Sequence, residues 1–222
     1  MRDRYSIFVG LVFLAVAIVA LVNTLSSDEG GTLGLNRETA GDPLPEFAVP
    51  AAFGAREGDA NIAQDDCEVA AVPCPEEARR APACRIRARG AIRVCDFFEQ
   101  PLVISFWFTR GGDCEAQQSV VDSVYRRYRG RVGFISLNVH DEVETVREIA
   151  RRRGWRMPLG YDRDGAVANV YRVGGCPTFV YAFPGGISQG ASIGELDEEQ
   201  LTARVERLLR ATEARAPESV DG

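Results

Sequence analysis

The 222-residue sequence has no lysine and a single histidine, His140, so its 26 strongly basic residues are all arginine, a bias that says little about function. The formal net charge is −6, and no basic run is interleaved with aromatic residues, which gives no reason to expect a nucleic-acid partner. The histidine has no aligned serine or aspartate and is interpreted as a surface or capping residue. Internal repeats are also absent from the sequence.

Six cysteines are present, but their spacing does not match a zinc site, and neither a metal nor another cofactor is predicted. Six residues separate Cys67 from Cys74, ten separate Cys84 from Cys95, and the histidine is distant in the sequence. These four cysteines form an even set in a polar, loop-rich segment, so we expect two structural disulfides of open connectivity. Such disulfides persist in an oxidising, extracytoplasmic compartment.

The end of this cysteine-containing segment predicts a β-hairpin over Arg85–Val94 that turns near Gly90. A two-residue turn would place Cys84 opposite Cys95. A three-residue turn gives a better apolar face and places the two cysteines on opposite sides. Bridges from the two earlier cysteines to the hairpin are therefore equally compatible with the sequence.

An uncharged, largely apolar run near the N-terminus, Ile7–Leu25, is long enough to cross a bilayer core of about 30 Å as one helix. Arg2 and Arg4 precede the run and acidic residues follow it, so the positive-inside rule places residues 1–6 in the cytoplasm and the rest outside. A cleaved signal peptide is the alternative, but its apolar core would span only about 7–15 residues. The sequence therefore predicts a single-pass cell-membrane protein with an extracytoplasmic C-terminal domain.

The remainder of the chain divides by composition into a linker, a folded domain and a tail. Residues 26–42 are rich in glycine, serine and threonine, which is typical of a linker. The folded domain is predicted at 43–212, with a cysteine-containing insert at 55–95. Residues 213–222 are predicted to be a flexible tail.

Strand and helix patterns alternate in the second half of the chain. The continuous apolar run "LVISFWF" (Leu102–Phe108) predicts a strand covered on both faces, and an amphipathic helix is predicted to begin near Asp113 or Cys114. The complete order is β-α-β-α followed by β-β-α. This order implies an α/β fold in which helices cover both faces of a mixed sheet.

Four segments resemble the TlpA-like branch of the thioredoxin superfamily, whose members are membrane-anchored, extracytoplasmic thiol–disulfide proteins. They are "DPLPEFAVP", "PLVISFWFTRGGDC", "DRDGAVANVYRVGGCPTFVYAF" and "GELDEEQL". The resemblance covers residues 43–212 apart from the insert. It implies a thioredoxin-like mixed sheet flanked by helices, here preceded by one transmembrane helix.

The resemblance also implies a binding groove for a substrate chain. Pro177 is expected to be cis and to face the active-site turn, and a cis X-Pro bond is uncommon enough to indicate a purpose. Gly175, Arg110 and Gly111 are the other candidate substrate-binding residues. The expected partners are extracytoplasmic protein thiols or disulfides.

The sequence departs from the family at the active-site motif. Gly111 replaces the first cysteine of the C-x-x-C pair and Arg110 replaces the usual tryptophan, so a C-x-x-C mechanism is excluded. Cys114 remains at a predicted helix N-terminus, where the helix dipole favours a thiolate. Arg110 adds a positive charge nearby, whereas Asp113 and Glu115 oppose it.

A second cysteine, Cys176, directly precedes Pro177. The resemblance places it beside the active-site turn, so we hypothesise a Cys114–Cys176 pair that is either redox-active or structural. The alternative is that Cys114 is an inert buried remnant and Cys176 a small apolar filler.

Three functions are compatible with these residues. The first is thiol–disulfide exchange or redox sensing outside the membrane, in support of cell redox homeostasis, with Cys114 and Cys176 as the working pair. The second is a non-catalytic binding or scaffold domain that has lost this chemistry. The third is a peroxiredoxin-like peroxidase at Cys114, although the "P-x-x-x-T-x-x-C" pattern of those enzymes is not met here.

Overall fold

The structure, a computed structural model, describes four stretches of the chain: residues 40–54, 62–63, 82–110 and 114–215. The predicted membrane anchor, most of the predicted linker, Cys67, Cys74 and Gly111 lie outside these residues. Within them, no helix combines the length and the apolar character needed to cross a bilayer.

Eight strands and four α-helices form within the described residues. The strands are β1 (Phe47–Pro50), β2 (Ile62–Ala63), β3 (Ala91–Arg93), β4 (Leu102–Trp107), β5 (Gly133–Val139), β6 (Leu159–Asp162), β7 (Thr178–Phe183) and β8 (Ile187–Ile193). The α-helices are α1 (Cys114–Tyr128), α2 (Val143–Arg153), α3 (Ala166–Val170) and α4 (Glu198–Arg215).

The main sheet has five strands in the order β6-β5-β4-β7-β8. Strand β5 is parallel to β4 and β6, whereas β7 is antiparallel to β4 and β8, so the predicted mixed sheet is confirmed. Every residue of β4 is buried, as its continuous apolar run indicated. The antiparallel register pairs Phe106 with Thr178, which brings the end of β4 and the start of β7 to the same edge of the sheet.

Apolar side chains pack on both faces of the main sheet. One cluster joins α1, α2 and α4 to strand residues such as Val103, Phe134 and Phe179. The other joins α3 and β1 to strand residues that include Ile104 and Ile135. The predicted coverage of both sheet faces by helices is therefore confirmed.

Part of the predicted insert belongs to a second sheet, in which β1 lies between β2 and β3. The predicted hairpin over 85–94 is wrong: the chain does turn at Gly90, with φ 74°, but β3 pairs with β1 rather than with the arm before the turn. Strand β1 offers β3 a fully buried partner, whereas the preceding arm alternates arginine with apolar residues. A Cys84–Cys95 disulfide closes this segment, with the two Cα atoms 5.9 Å apart.

The folded domain extends a few residues beyond its predicted boundaries at both ends. The Gly41 N–H donates to the Ser188 carbonyl at 2.9 Å, so the last residues of the predicted linker already pair with the sheet. The predicted flexible tail at 213–222 is wrong for its first three residues, because α4 continues to Arg215. The Arg215 guanidinium lies 4.3 Å from the centroid of the Phe183 ring, a cation–π contact that holds the last turn of the helix.

Gln118 attaches α1 to the two central strands. Its side-chain amide donates to Ser105 Oγ in β4 at 2.8 Å and accepts from Ser136 Oγ in β5 at 2.8 Å. All three side chains are fully buried, and the two serines are register partners across the strands. Because Gln118 follows Cys114 by about one helical turn, this contact also fixes the start of the helix.

Replacing Gln118 with leucine should lower the free energy of unfolding by about 1–3 kcal/mol, because two buried hydroxyls lose their side-chain partner. Denaturant unfolding followed by circular dichroism measures the change. The triple variant Gln118→Leu/Ser105→Ala/Ser136→Ala should recover part of the loss, since these buried polar groups are then removed together. A single variant as stable as the wild type would contradict this role.

Candidate functional site

Cys114 is the first residue of α1, and only 1% of its surface is exposed. It shares an apolar cluster with Trp107 at the end of β4 and Phe179 near the start of β7. The 15-residue helix directs its positive dipole end and its free N–H groups to this position, which favours a thiolate. Burial among apolar side chains acts in the opposite direction.

Cys176 lies on the loop that leads into β7 and is partly buried against the same cluster. Its bond to Pro177 is cis, as the resemblance implied. The Thr178 hydroxyl donates to the Gly175 carbonyl at 2.7 Å, and the Gly194 N–H donates to the Pro177 carbonyl at 3.0 Å. These two hydrogen bonds hold the loop from both sides.

The structure brings Cys114 and Cys176 together in a disulfide, with their Cα atoms 6.0 Å apart. This Cα separation is within the range usual for disulfides. The bond joins the start of α1 to the cis-proline loop across 62 residues of sequence. The two candidate cysteines therefore meet at one place, where Gly175 and Pro177 also lie.

Glu115, next to Cys114, is bound by two arginines from the end of α2. Arg153 Nε donates to its carboxylate at 2.7 Å and an Arg152 guanidinium nitrogen donates to it at 3.1 Å. The hydrogen bond from Arg153, supported by Arg152, lowers the pKa of Glu115 against the opposing effect of desolvation. The glutamate was expected to oppose a thiolate at Cys114, but its charge is compensated here.

Hydrogen bonds to Asp141 hold the residue that begins the connection between β4 and α1, Thr109. Asp141 accepts from the Thr109 N–H at 2.7 Å and from the Thr109 hydroxyl at 2.6 Å, while the Asn138 amide donates to the same carboxylate at 2.8 Å. Arg110 follows and is exposed. Gly111, the remaining candidate substrate-binding residue, is outside the described residues.

No protein-family model matches the chain. It is 26% identical over 117 residues to the thiol-disulfide oxidoreductase ResA of Geobacillus kaustophilus, which covers 52% of this chain and 67% of that protein. It is 27% identical over 113 residues to the thiol:disulfide interchange protein TxlA of Synechococcus elongatus, which covers 51% of this chain and 49% of that protein.

Solved structures share the fold over most of the chain. A DsbF homologue from Corynebacterium diphtheriae matches with a TM-score of 0.57 and 11% identity, over 80% of this chain and 94% of that chain. A thioredoxin-family thiol:disulfide interchange protein from Chlorobium tepidum matches with a TM-score of 0.54 and 13% identity, over 75% and 95% respectively. The chain therefore has the thioredoxin-like fold of these proteins, and its sequence is similar to thiol-disulfide oxidoreductases. The thioredoxin-like α/β fold predicted from the sequence is thereby confirmed.

Sequence reasoning missed two residues beside the candidate site, Arg152 and Arg153. They end α2 in a run of three arginines, and nothing in the pattern indicates that α2 ends beside the start of α1. Because these two arginines bind the Glu115 carboxylate, the helix N-terminus is the electrostatic feature that acts directly on Cys114. The helix N-terminus favours a thiolate released at this position, and the burial of Cys114 opposes it.

Replacing Glu115 with glutamine should lower the free energy of unfolding at neutral pH by about 0.2–1 kcal/mol, the range of partly exposed ion pairs. The folded-state pKa of Glu115 is lowered, so its contribution is present above the ordinary glutamate pKa of about 4.3 and is lost as the pH falls through the lowered value. Denaturant unfolding of both proteins at neutral and at strongly acidic pH checks this dependence.

Glu148→Gln is the matched control, because Glu148 faces the same Arg152 at 3.8 Å with a side chain that is 79% exposed. Its stability should equal that of the wild type at both pH values. A Glu115→Gln variant whose deficit is the same at acidic pH would show that the ion pair is not the cause.

Proposed function

We propose that this chain is a redoxin, a thiol–disulfide oxidoreductase whose working pair is Cys114 and Cys176. The observation that carries the proposal is the disulfide between the first residue of α1 and the residue before the cis-proline. The pair lies where a thioredoxin-like fold places its exchange chemistry, although only one of the two sulfurs occupies the helix. The names of the sequence relatives support the same reaction class.

Thiol–disulfide exchange needs a sulfur that a client can reach and a second thiol that resolves the mixed disulfide. Cys176 is partly exposed on its loop, and Cys114 lies directly behind it in the disulfide. The partial exposure of Cys176 and the disulfide to Cys114 support these two roles for two residues that are distant in sequence. A binding domain without exchange chemistry would need neither a partly exposed cysteine nor a second cysteine at a helix N-terminus.

We propose extracytoplasmic protein thiols or disulfides as the clients, and the cell membrane as the location. The apolar run at residues 7–25 supports a retained anchor, with the domain on the outer side. The Cys84–Cys95 disulfide supports an oxidising compartment.

The wild-type protein should accelerate the reduction of insulin by dithiothreitol, and Cys114→Ser and Cys176→Ser should each reduce the rate to background, because both sulfurs are needed for a full cycle. Insulin turbidity measures the rate. The double variant Cys84→Ser/Cys95→Ser is the control and should stay active if it folds.

Non-reducing peptide mapping accompanies this assay and should recover Cys114 and Cys176 in one linked peptide pair. Wild-type protein without activity, together with a reduction potential below about −300 mV, would identify the bond as a structural staple. Peroxide consumption that depends on Cys114 but not on Cys176 would instead favour a peroxidase.

Full-length protein expressed in a bacterial host should remain in the membrane fraction after an alkaline carbonate wash, whereas a variant lacking residues 1–25 should be released. The physical reason is the apolar run, which is long enough to span the bilayer. Expression of the full-length sequence could instead yield a soluble product that is shortened at its N-terminus. That result would indicate a cleaved signal peptide.

A further inference from the structure

We infer that Cys176 is the attacking cysteine and that Cys114 is the resolving one. The inference rests on the proposed function and adds which of the two cysteines reacts with the client first. The chemistry thereby begins on the cis-proline loop rather than on the helix. The surroundings of the two sulfurs differ in three ways that support this assignment.

The first difference is access. Exchange proceeds by attack of a thiolate on a disulfide sulfur, so the reacting cysteine must be reachable by a protein-sized client. Cys114 is 1% exposed and belongs to the apolar cluster of the main core, so its surface is almost entirely covered. Cys176 is only partly buried against the edge of that cluster.

The second difference is the open space beside Cys176. Gly174 and Gly175 precede Cys176, so no side chain from either covers it, and Gly174 is exposed. A Cβ atom placed on Gly175 would meet only Ile193, at 3.6 Å. The Ile193 side chain is itself 40% exposed, which offers an apolar contact to a client chain on this side of the loop.

The third difference is the environment of the released sulfur. When a client attacks Cys176, the sulfur that leaves is Cys114 Sγ, at the N-terminus of the 15-residue helix α1. The adjacent Glu115 is compensated by Arg152 and Arg153, so it does not repel the departing thiolate. A lower thiol pKa makes a better leaving group, so the helix position suits Cys114 to this role.

The oxidising cycle balances with a client dithiol as the only reductant. A client thiolate attacks Cys176 Sγ, the Cys114–Cys176 bond breaks, and Cys114 leaves as a thiolate that takes up a proton from solvent. The second client thiolate then attacks the client sulfur of the mixed disulfide and releases Cys176. The client is oxidised by two electrons and the redoxin is reduced by two, and the reverse sequence reduces a client disulfide.

Single-cysteine variants test the assignment in the full chain. Cys114→Ser leaves Cys176 as a free thiol, and Cys176→Ser leaves Cys114 free. With 4,4′-dithiodipyridine as the probe, Cys176 in the first variant should react at least about tenfold faster than Cys114 in the second, since access limits the buried thiol. Mass mapping confirms which cysteine carries the label, and Cys114→Ala replaces the serine variant if the hydroxyl disturbs the core.

Two controls make the outcome decisive. In concentrated guanidinium chloride the two rates should become similar, because the difference arises from folding. With native insulin, whose disulfides are intact, as the client, the free Cys176 thiolate of Cys114→Ser should attack an insulin disulfide, release one insulin thiolate and accumulate as a mixed disulfide, whereas Cys176→Ser should accumulate none. Active wild-type protein with faster labelling or trapping at Cys114 overturns this assignment alone, whereas wild-type protein inactive in the insulin assay overturns the proposed function and the assignment together.

Discussion

The antiparallel pairing of β7 with the buried central strand β4 is the constraint on which the site depends. Strand β4 leads into the turn before α1, and the loop that carries the cis-proline leads into β7. Because Phe106 pairs with Thr178, these two connections lie at the same edge of the sheet. A parallel pairing would separate them by the length of a strand, and the two cysteines would not meet.

Electrostatic features around the disulfide come from elements that are far apart in sequence. The helix dipole belongs to α1, the compensating guanidinium groups to α2, and the cis-proline loop to the start of β7. Their convergence follows from the packing of α1 and α2 on one cluster with the strands. Each contribution is modest alone, and the main core holds them in a fixed arrangement.

The central strand and the start of α1 could be predicted from the sequence because their signals are local. A continuous apolar run indicates a buried strand, and an amphipathic pattern after a glycine-rich turn indicates a helix start. The meeting of Cys114 with Cys176 depended on the family resemblance, since no local pattern relates residues so far apart. The hairpin prediction failed for the same reason, because β1 provides a partner for β3 that local periodicity does not reveal.

The position of the disulfide couples the redox state of the domain to its stability. A C-x-x-C pair closes a very small ring, whereas this bond spans 62 residues. In the chain-entropy description, a cross-link of that length stabilises the folded state by about 4 kcal/mol, compared with about 2 kcal/mol for a C-x-x-C ring. Reduction therefore removes a restraint on the segment between the two cysteines as well as a bond at the site, and the reduced form is the more susceptible to local opening and proteolysis.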